Sequence, residues 1–214
     1  MTSPIPILSL QCGKAGPFRG SDEPSAIGKA PVTGPVEVRR LGLVGDEQAD
    51  LAVHGGPDKA IHHYPFWRDR IGDHPLLDEY GAFGENVATH GLTEDTVCIG
   101  DRYRFGTATV EVSQGRQPCW KLDHRFGGLA VSAAMVKARR AGWYYRVLEE
   151  GKALAGDDMT LLERPHPQWT IARTFGLLIA GDHRRDRDAL ETLGELDVLA
   201  EPWKARRAKL LGGA

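Results

Sequence analysis

Short runs of alternating apolar and polar residues fill the first two thirds of the chain. Residues 5–12 read as a strand, and residues 36–41 (Val36-Glu37-Val38-Arg39-Arg40-Leu41) as a second. Between them, residues 13–25 are rich in glycine, proline and serine and read as a surface loop. Residues 60–64 form a short strand candidate that leads into a helix over 65–71. Residues 86–89, 97–99 and 103–105 are further short strands, punctuated by Gly91, Gly100-Asp101 and Gly106. Residues 108–113 alternate as a half-buried strand does, and the pattern turns helical after Pro118. A helix over 131–141 stops at Gly142, and strands over 143–147 and 159–162 return. Many short strands with glycine turns at this spacing suggest a sandwich or a barrel.

The composition shifts at Arg164-Pro165-His166-Pro167, and the patterns beyond it are helical: 170–179, 187–193 and 202–211. The division is therefore a β-rich body over 1–165 and a three-helix segment over 166–214. A segment of that size needs a surface to pack against, either the body or a second subunit in a homodimer. Its apolar residues Ile171, Phe175, Leu178, Leu190, Leu193, Leu196, Leu199 and Trp203 read most simply as core; a lid over the site or a dimer contact is the functional alternative.

The chain has 214 residues and a net charge of −2, so no global basic field exists to hold nucleic acid. The basic cluster Lys204, Arg206, Arg207 and Lys209 reads as a solvated helix face. The three cysteines, Cys12, Cys98 and Cys119, have neither the number nor the spacing of a disulfide framework or a zinc knuckle. The first residues lack the basic start and apolar run of a signal peptide, and no apolar stretch approaches the roughly 18 residues a membrane helix needs. The expectation is a soluble cytoplasmic protein without a membrane partner.

Cys119 is the most informative residue. It ends the run Ser113-Gln114-Gly115-Arg116-Gln117-Pro118-Cys119, between a strand and a helix, with Pro118 suited to a first helical position. A thiol facing a helix N-terminus, with Arg116 and Lys121 close in sequence, favours the thiolate, the form that attacks electrophiles and binds metals. The competing reading is a buried structural cysteine.

Three other clusters carry polar chemistry. His54-Gly55-Gly56-Pro57-Asp58-Lys59 offers a glycine turn whose amides can form an anion nest, with Lys59 adding charge; the same residues are ordinary turn chemistry. Phe83-Gly84-Glu85-Asn86 places an amide at the start of a strand, and Glu85 reads as an ion-pair partner or a carboxylate orienting a histidine. His62 and His63 are adjacent on an expected strand, so at most one faces a given site. The HExxH, Walker A and G-x-S-x-G patterns are missing.

Taken together, Gly42-Leu43-Val44-Gly45-Asp46, the His54 to Ala60 block, Phe83-Gly84-Glu85-Asn86, Ile99-Gly100-Asp101 and Arg116-Gln117-Pro118-Cys119-Trp120-Lys121-Leu122 resemble MOSC-domain proteins in order and spacing. The domain is named for the C-terminal part of molybdenum cofactor sulfurases, and the chain looks most like the YiiM-like subgroup, in which three helices follow the barrel. The resemblance implies an α+β, mainly β fold: a closed β-barrel of the kind also seen in a pyruvate kinase domain, with a small C-terminal helical segment. It implies a molybdenum–pterin cofactor (Mo-molybdopterin) with Cys119 as metal ligand. Relatives reduce N-hydroxylated compounds with electrons from separate flavin or iron–sulfur proteins. The family's motif residues map onto Cys119, His54, Glu85, Asn86 and Arg116. One departure stands out: the family usually has proline before that arginine, where this chain has Gly115. Glycine there is expected to loosen the turn and shift Arg116.

The leading expectation is a molybdenum-dependent reductase of N-hydroxylated bases or related N-oxygenated compounds. Cys119 holds the metal; His54 and Asn86 position substrate or deliver protons. Lys59, Arg116, Gly55, Gly56, Glu85 and His63 are the cofactor contacts. Two alternatives use the same residues: a carrier of the cofactor or of persulfide sulfur on Cys119, and a metal-free cysteine hydrolase or transferase with His54 as base and Asn86 or Glu85 as orienter. Pyridoxal phosphate, for which Lys59 and Lys121 are the available amines, is disfavoured because fold does not fix function.

Overall fold

The computed structural model describes residues 4–18, 21–47, 59–60 and 63–212. The strands are β1 (Ile5–Cys12), β2 (Gly16–Phe18), β3 (Ser21–Ser25), β4 (Ala30–Pro31), β5 (Val36–Arg39), β6 (Gly42–Leu43), β7 (Lys59–Ala60), β8 (Val87–Thr89), β9 (Arg102–Phe105), β10 (Ala108–Gly115), β11 (Trp143–Glu149), β12 (Gly151–Ala153) and β13 (Asp158–Glu163). The α-helices are α1 (His63–Ile71), α2 (Trp120–Arg125), α3 (Val131–Ala138), α4 (Ile171–Leu178), α5 (Arg187–Thr192) and α6 (Glu201–Gly212).

The main sheet runs β11-β10-β9-β13-β1-β8-β7, with β4 also on β1. All its pairings are antiparallel except that of β7 with β8. The fold is mixed and mostly strand, a curled half-barrel with helices at its C-terminal end. The closed barrel expected from the sequence is not found: among the described residues the path is open, with β11 at one edge and β7 at the other. The chain beyond β11 turns into β12, which pairs with β5 in a second sheet, β12-β5-β6, so its hydrogen bonds are spent away from β7.

Other expectations differ in instructive ways. The 13–25 loop contains the hairpin of β2 and β3. Residues 97–99 contribute only an isolated bridge, Cys98 to Thr170. His63 opens a helix rather than extending a strand, and His62 lies outside the described residues. β10 is buried along its whole length, not on one face. The reason is that it has strands on both sides and α4 packed against it.

The three C-terminal helices share one hydrophobic cluster with the sheet, and all eight apolar residues named above are buried in it or at its edge. The chain after residue 165 is stitched to the body through its backbone: the Ile99 amide donates to Trp169 O at 2.9 Å, Ile171 N to Val97 O at 2.8 Å and Ala200 N to Ser113 O at 3.0 Å. Thr170 caps α4, its hydroxyl accepting from the Arg173 amide at 3.2 Å.

Gly115 is where tail and body meet most closely. A Cβ there would lie 2.7 Å from Trp203 Cη2 and 3.1 Å from Cζ2. The glycine is a seat for an indole, which corrects the expectation that it loosens the turn. Its strand pairing with Trp143 is intact, and the next amide, Arg116 N, donates to Gly142 O at 2.9 Å.

Candidate active site around Cys119, Asn86 and Arg116

Cys119 is the residue that caps α2, in extended conformation (φ −129°, ψ 169°), with no cap bond from its side chain. Pro118 therefore stands before the cap rather than at the first helical position. The thiol is exposed, unlike the buried Cys98 and the half-buried Cys12, so the structural-cysteine reading does not hold. Neither neighbouring cation is free to serve the sulfur alone. Arg116 donates to Phe83 O at 2.7 Å, and Lys121 lies 3.5 Å from Glu23. The short helix is anchored by Asp123, which accepts from Ser132 N and Oγ at 2.6 and 2.5 Å on α3.

The turn over residues 81–85 is gripped from two directions by this cysteine segment. Arg116 takes Phe83 O; Arg125, at the last position of α2, donates to Ala82 O at 2.9 Å and Gly81 O at 3.2 Å. From inside, the fully buried Glu85 accepts from the amides of Gly81 and Phe83 at 2.9 and 3.0 Å. Gly84 has φ +79°, and a Cβ on it would fall 2.7 Å from Ile27 Cγ1, so only glycine closes this turn. Phe83 is stacked on Phe126 at 5.2 Å, which fixes the turn against the core.

Asn86 leaves that turn and reaches a second cluster. Its Nδ2 donates to Asp46 Oδ2 at 2.6 Å and to Gln11 O at 3.0 Å. Asp46 also receives Lys29 Nζ at 2.7 and 2.6 Å on its two oxygens, and the Gly13 amide at 2.9 Å. The Lys29–Asp46 pair is buried, with 2 % and 6 % of the two side chains exposed. Burial pulls Lys29 below the usual lysine range, and the nearby Arg116 charge acts the same way, while Asp46 opposes both. Burial, aided by Asp46, pushes the Cys12 thiol from its ordinary 9.0 up to about 11. Cys12 is thus a neutral thiol at physiological pH.

His54, Gly55 and Gly56 lie outside the described residues. The backbone of Lys59 pairs with Ala88, so the histidine–glycine block ends beside the strand that follows Asn86. His63 begins α1. The structure thus joins Arg116, Glu85 and Asn86 through the 81–85 turn, with Cys119 three residues beyond Arg116. It adds Lys29, Asp46 and Arg125, which sequence reasoning missed. Asp46 lies in the Gly45-Asp46 run and had a signal; Lys29 lies between the 13–25 loop and the 36–41 strand, in a stretch without a motif, and had none.

Beside α2 an open cleft of about 440 Å³ is lined by Lys14, Phe18, Ile27, Gly28, His124 and Arg125. Phe18 meets Trp120, the residue after Cys119 in sequence, edge-on at 5.6 Å and His124 at 5.0 Å. A larger cleft of about 540 Å³ between α3 and α4 shares none of these residues, and its Arg139 is already paired with Asp182 at 2.8 Å. Among the described residues no three histidine, cysteine, aspartate or glutamate side chains converge on a metal position.

A family model of the MOSC domain matches residues 50–160, which holds both the 81–86 turn and Cys119. The chain belongs to the MOSC family. It is 39% identical to YflK of Bacillus subtilis (strain 168) over 206 residues, covering 93% of this chain and 91% of that one. Identity to protein YiiM of Escherichia coli (strain K12) is 42% over 147 residues, 66% of each chain. A protein named "Reductase" from Gibberella moniliformis is 40% identical over 182 residues, 79% of this chain and 32% of that longer one. The crystal structure of YiiM from Geobacillus stearothermophilus superposes with a TM-score of 0.82 at 32% identity, covering 97% of this chain and 100% of that one. YiiM from Escherichia coli superposes with a TM-score of 0.82 at 27% identity, covering 100% and 95%. Among the described residues no helix is long and apolar enough to cross a membrane.

Proposed function

We propose that this MOSC protein is an oxidoreductase that reduces N-hydroxylated bases and related N-oxygenated compounds with a molybdenum–pterin cofactor held by Cys119. The observation that carries the reading is the exposed thiol of Cys119, beside a turn clamped by Arg116 and Arg125. The donor set fits the cofactor. A single thiolate is too small a ligand set for a bare ion, so the metal has to arrive with its own sulfur chelate. The anionic end of a pterin requires cations and amides; Arg116 and Arg125 are proposed to supply the positive charge, whereas Lys29 is neutralised by Asp46 and Lys14 by Glu47. Lys59, Gly55, Gly56 and His63 are proposed as further contacts, and His54 as a proton donor.

When bound, the molybdenum centre supplies the two-electron reduction that the protein's own side chains lack. The overall change is R–NHOH + 2 e⁻ + 2 H⁺ → R–NH₂ + H₂O. The chain's task is to bind, orient and protonate. Asn86 is proposed to orient the substrate, the aromatic pair of Phe18 and Trp120 is proposed as a surface for a planar base, and a proton must reach the departing hydroxyl. The electrons are proposed to come from a separate flavin or iron–sulfur protein, and the protein is proposed to act in the cytoplasm. The "Reductase" relative supports the reaction class.

The test is to produce the protein in a host that makes the cofactor and to quantify molybdenum and pterin. N-hydroxyguanidine turnover is then assayed with a flavin-based donor. Stoichiometric metal that is lost in Cys119→Ala, together with turnover, is the expected result; full occupancy in that variant overturns the assignment. The same exposure of Cys119 gives a carrier reading a specific footing, because a surface sulfur is open to a partner protein. Transfer of cofactor to an apo-enzyme without turnover would select it.

A further inference from the structure

The orientation of the Asn86 amide is fixed by chemistry. Both groups that its Nδ2 meets, the Asp46 carboxylate and the Gln11 carbonyl, can only accept. A flipped amide would place oxygen against oxygen twice. The carbonyl Oδ1 is therefore the face left over; among the described residues no hydrogen bond ends on it and, unlike Gln11 Oε1, it is not sealed from solvent. An acceptor whose orientation is fixed and whose lone pairs face accessible space is open to a donor on a ligand.

Asp46 is what holds this arrangement. Its two oxygens take Gly13 N, Lys29 Nζ and Asn86 Nδ2, so lysine, carboxylate and amide form a chain of alternating donors and acceptors. A carboxylate on the NH₂ side of an amide strengthens the acceptor at the other end.

Resting on the function proposed above, we infer that Asp46 is a positioning residue that locks Asn86 so that its carbonyl, not its NH₂, meets the ligand. The ligand group recognised is an N–H or O–H donor. Two sources share that chemistry: the N-hydroxylated base and the ring N–H groups of the pterin. Asn86 is then an orienting acceptor and not a source of protons, which narrows the role expected from the sequence.

The test uses full-length protein from a cofactor-producing host, comparing wild type, Asp46→Asn, and Asp46→Asn combined with Lys29→Met. The double variant matters because the single one leaves a buried ammonium unpaired and can fail to fold for that reason alone. The first readout is the ¹⁵N-resolved side-chain amide of Asn86, which needs no cofactor. In the wild type one of its protons is shifted far downfield by the carboxylate, and in both variants it returns to the ordinary amide position. The second is molybdenum and pterin content together with KM and kcat for N-hydroxyguanidine. Full content with KM raised about tenfold in both variants and kcat nearly unchanged assigns the donor to the substrate, as expected for loss of one oriented hydrogen bond. Reduced pterin content in both assigns it to the cofactor. The proposal is overturned if the double variant matches wild type in KM and content, because Lys29 pairing was then the only role of Asp46. It is overturned equally if the Asn86 amide does not move. A wild-type protein without molybdenum would remove the function proposed above while the amide measurement still reports on Asp46.

Discussion

Arg116 donates to the carbonyl of Phe83 at 2.7 Å, across 33 residues of sequence, and so ties the cysteine segment to the glycine turn. A positive charge three residues from Cys119 is thereby both a brace and an electrostatic element. Arg116→Ala is expected to cost about 2 kcal/mol of stability, the scale of a hydrogen bond to a charged group. Arg116→Lys, which keeps the charge and loses the planar fork, is expected to recover part of it. Urea unfolding followed by tryptophan fluorescence measures both.

The three thiols should separate by exposure. Iodoacetamide at pH 8 is expected to modify Cys119 about tenfold or more faster than Cys12 and Cys98, the first half-buried with its thiol raised to about 11 and the second buried. Peptide mass mapping over time checks this. Equal labelling of Cys98 and Cys119 in folded protein would contradict the placement of both.

Cys12 also makes stability depend on pH. Its folded-state value lies above its ordinary 9.0, at about 11, so the folded chain keeps a proton that the unfolded chain releases between those values. The resulting stabilisation is complete below pH 9 and is lost as pH rises toward 11. Lys29, with its depressed value, acts in the opposite direction, so the measurement has to be a difference. Urea midpoints of wild type and Cys12→Ala, compared from pH 8 to pH 11, should converge or cross as pH rises.

Removing the carboxylate of Asp46 leaves an ammonium in a nearly water-free setting, since only 2 % of the Lys29 side chain is exposed. Asp46→Ala is expected to destabilise by about 3–5 kcal/mol, and adding Lys29→Met to restore much of that. Chemical denaturation of the two variants gives the values.

Ending the chain after Pro165 would strip Trp169, Ile171, Phe175 and Leu190 from the common core and leave Val97 O and Ser113 O without their partners. The expected product is insoluble or lacks a cooperative thermal transition, which circular dichroism detects. A truncated chain that melts cooperatively would show that the sheet stands alone.

What the sequence made legible was whatever depends on local pattern. β1 and the three C-terminal helices follow directly from alternation and helical spacing. The position of Cys119 at a strand-to-helix junction was legible for the same reason; its exposure was not. Pairings between distant segments were not. The 33 residues from Arg116 back to Phe83 and the 40 from Asn86 to Asp46 leave no local trace. Lys29 carried no local signal, because only the folded chain puts it under cover. The openness of the sheet also escaped notice, because it depends on where β12 finds its partner.

The contact between Gly115 and Trp203 has a historical corollary. Two positions that share one volume cannot drift independently, so a descendant that regains a ring at 115 must first shrink the side chain at 203, or shift its last helix. In an alignment of close relatives, bulk at one of these sites should be inversely matched by bulk at the other.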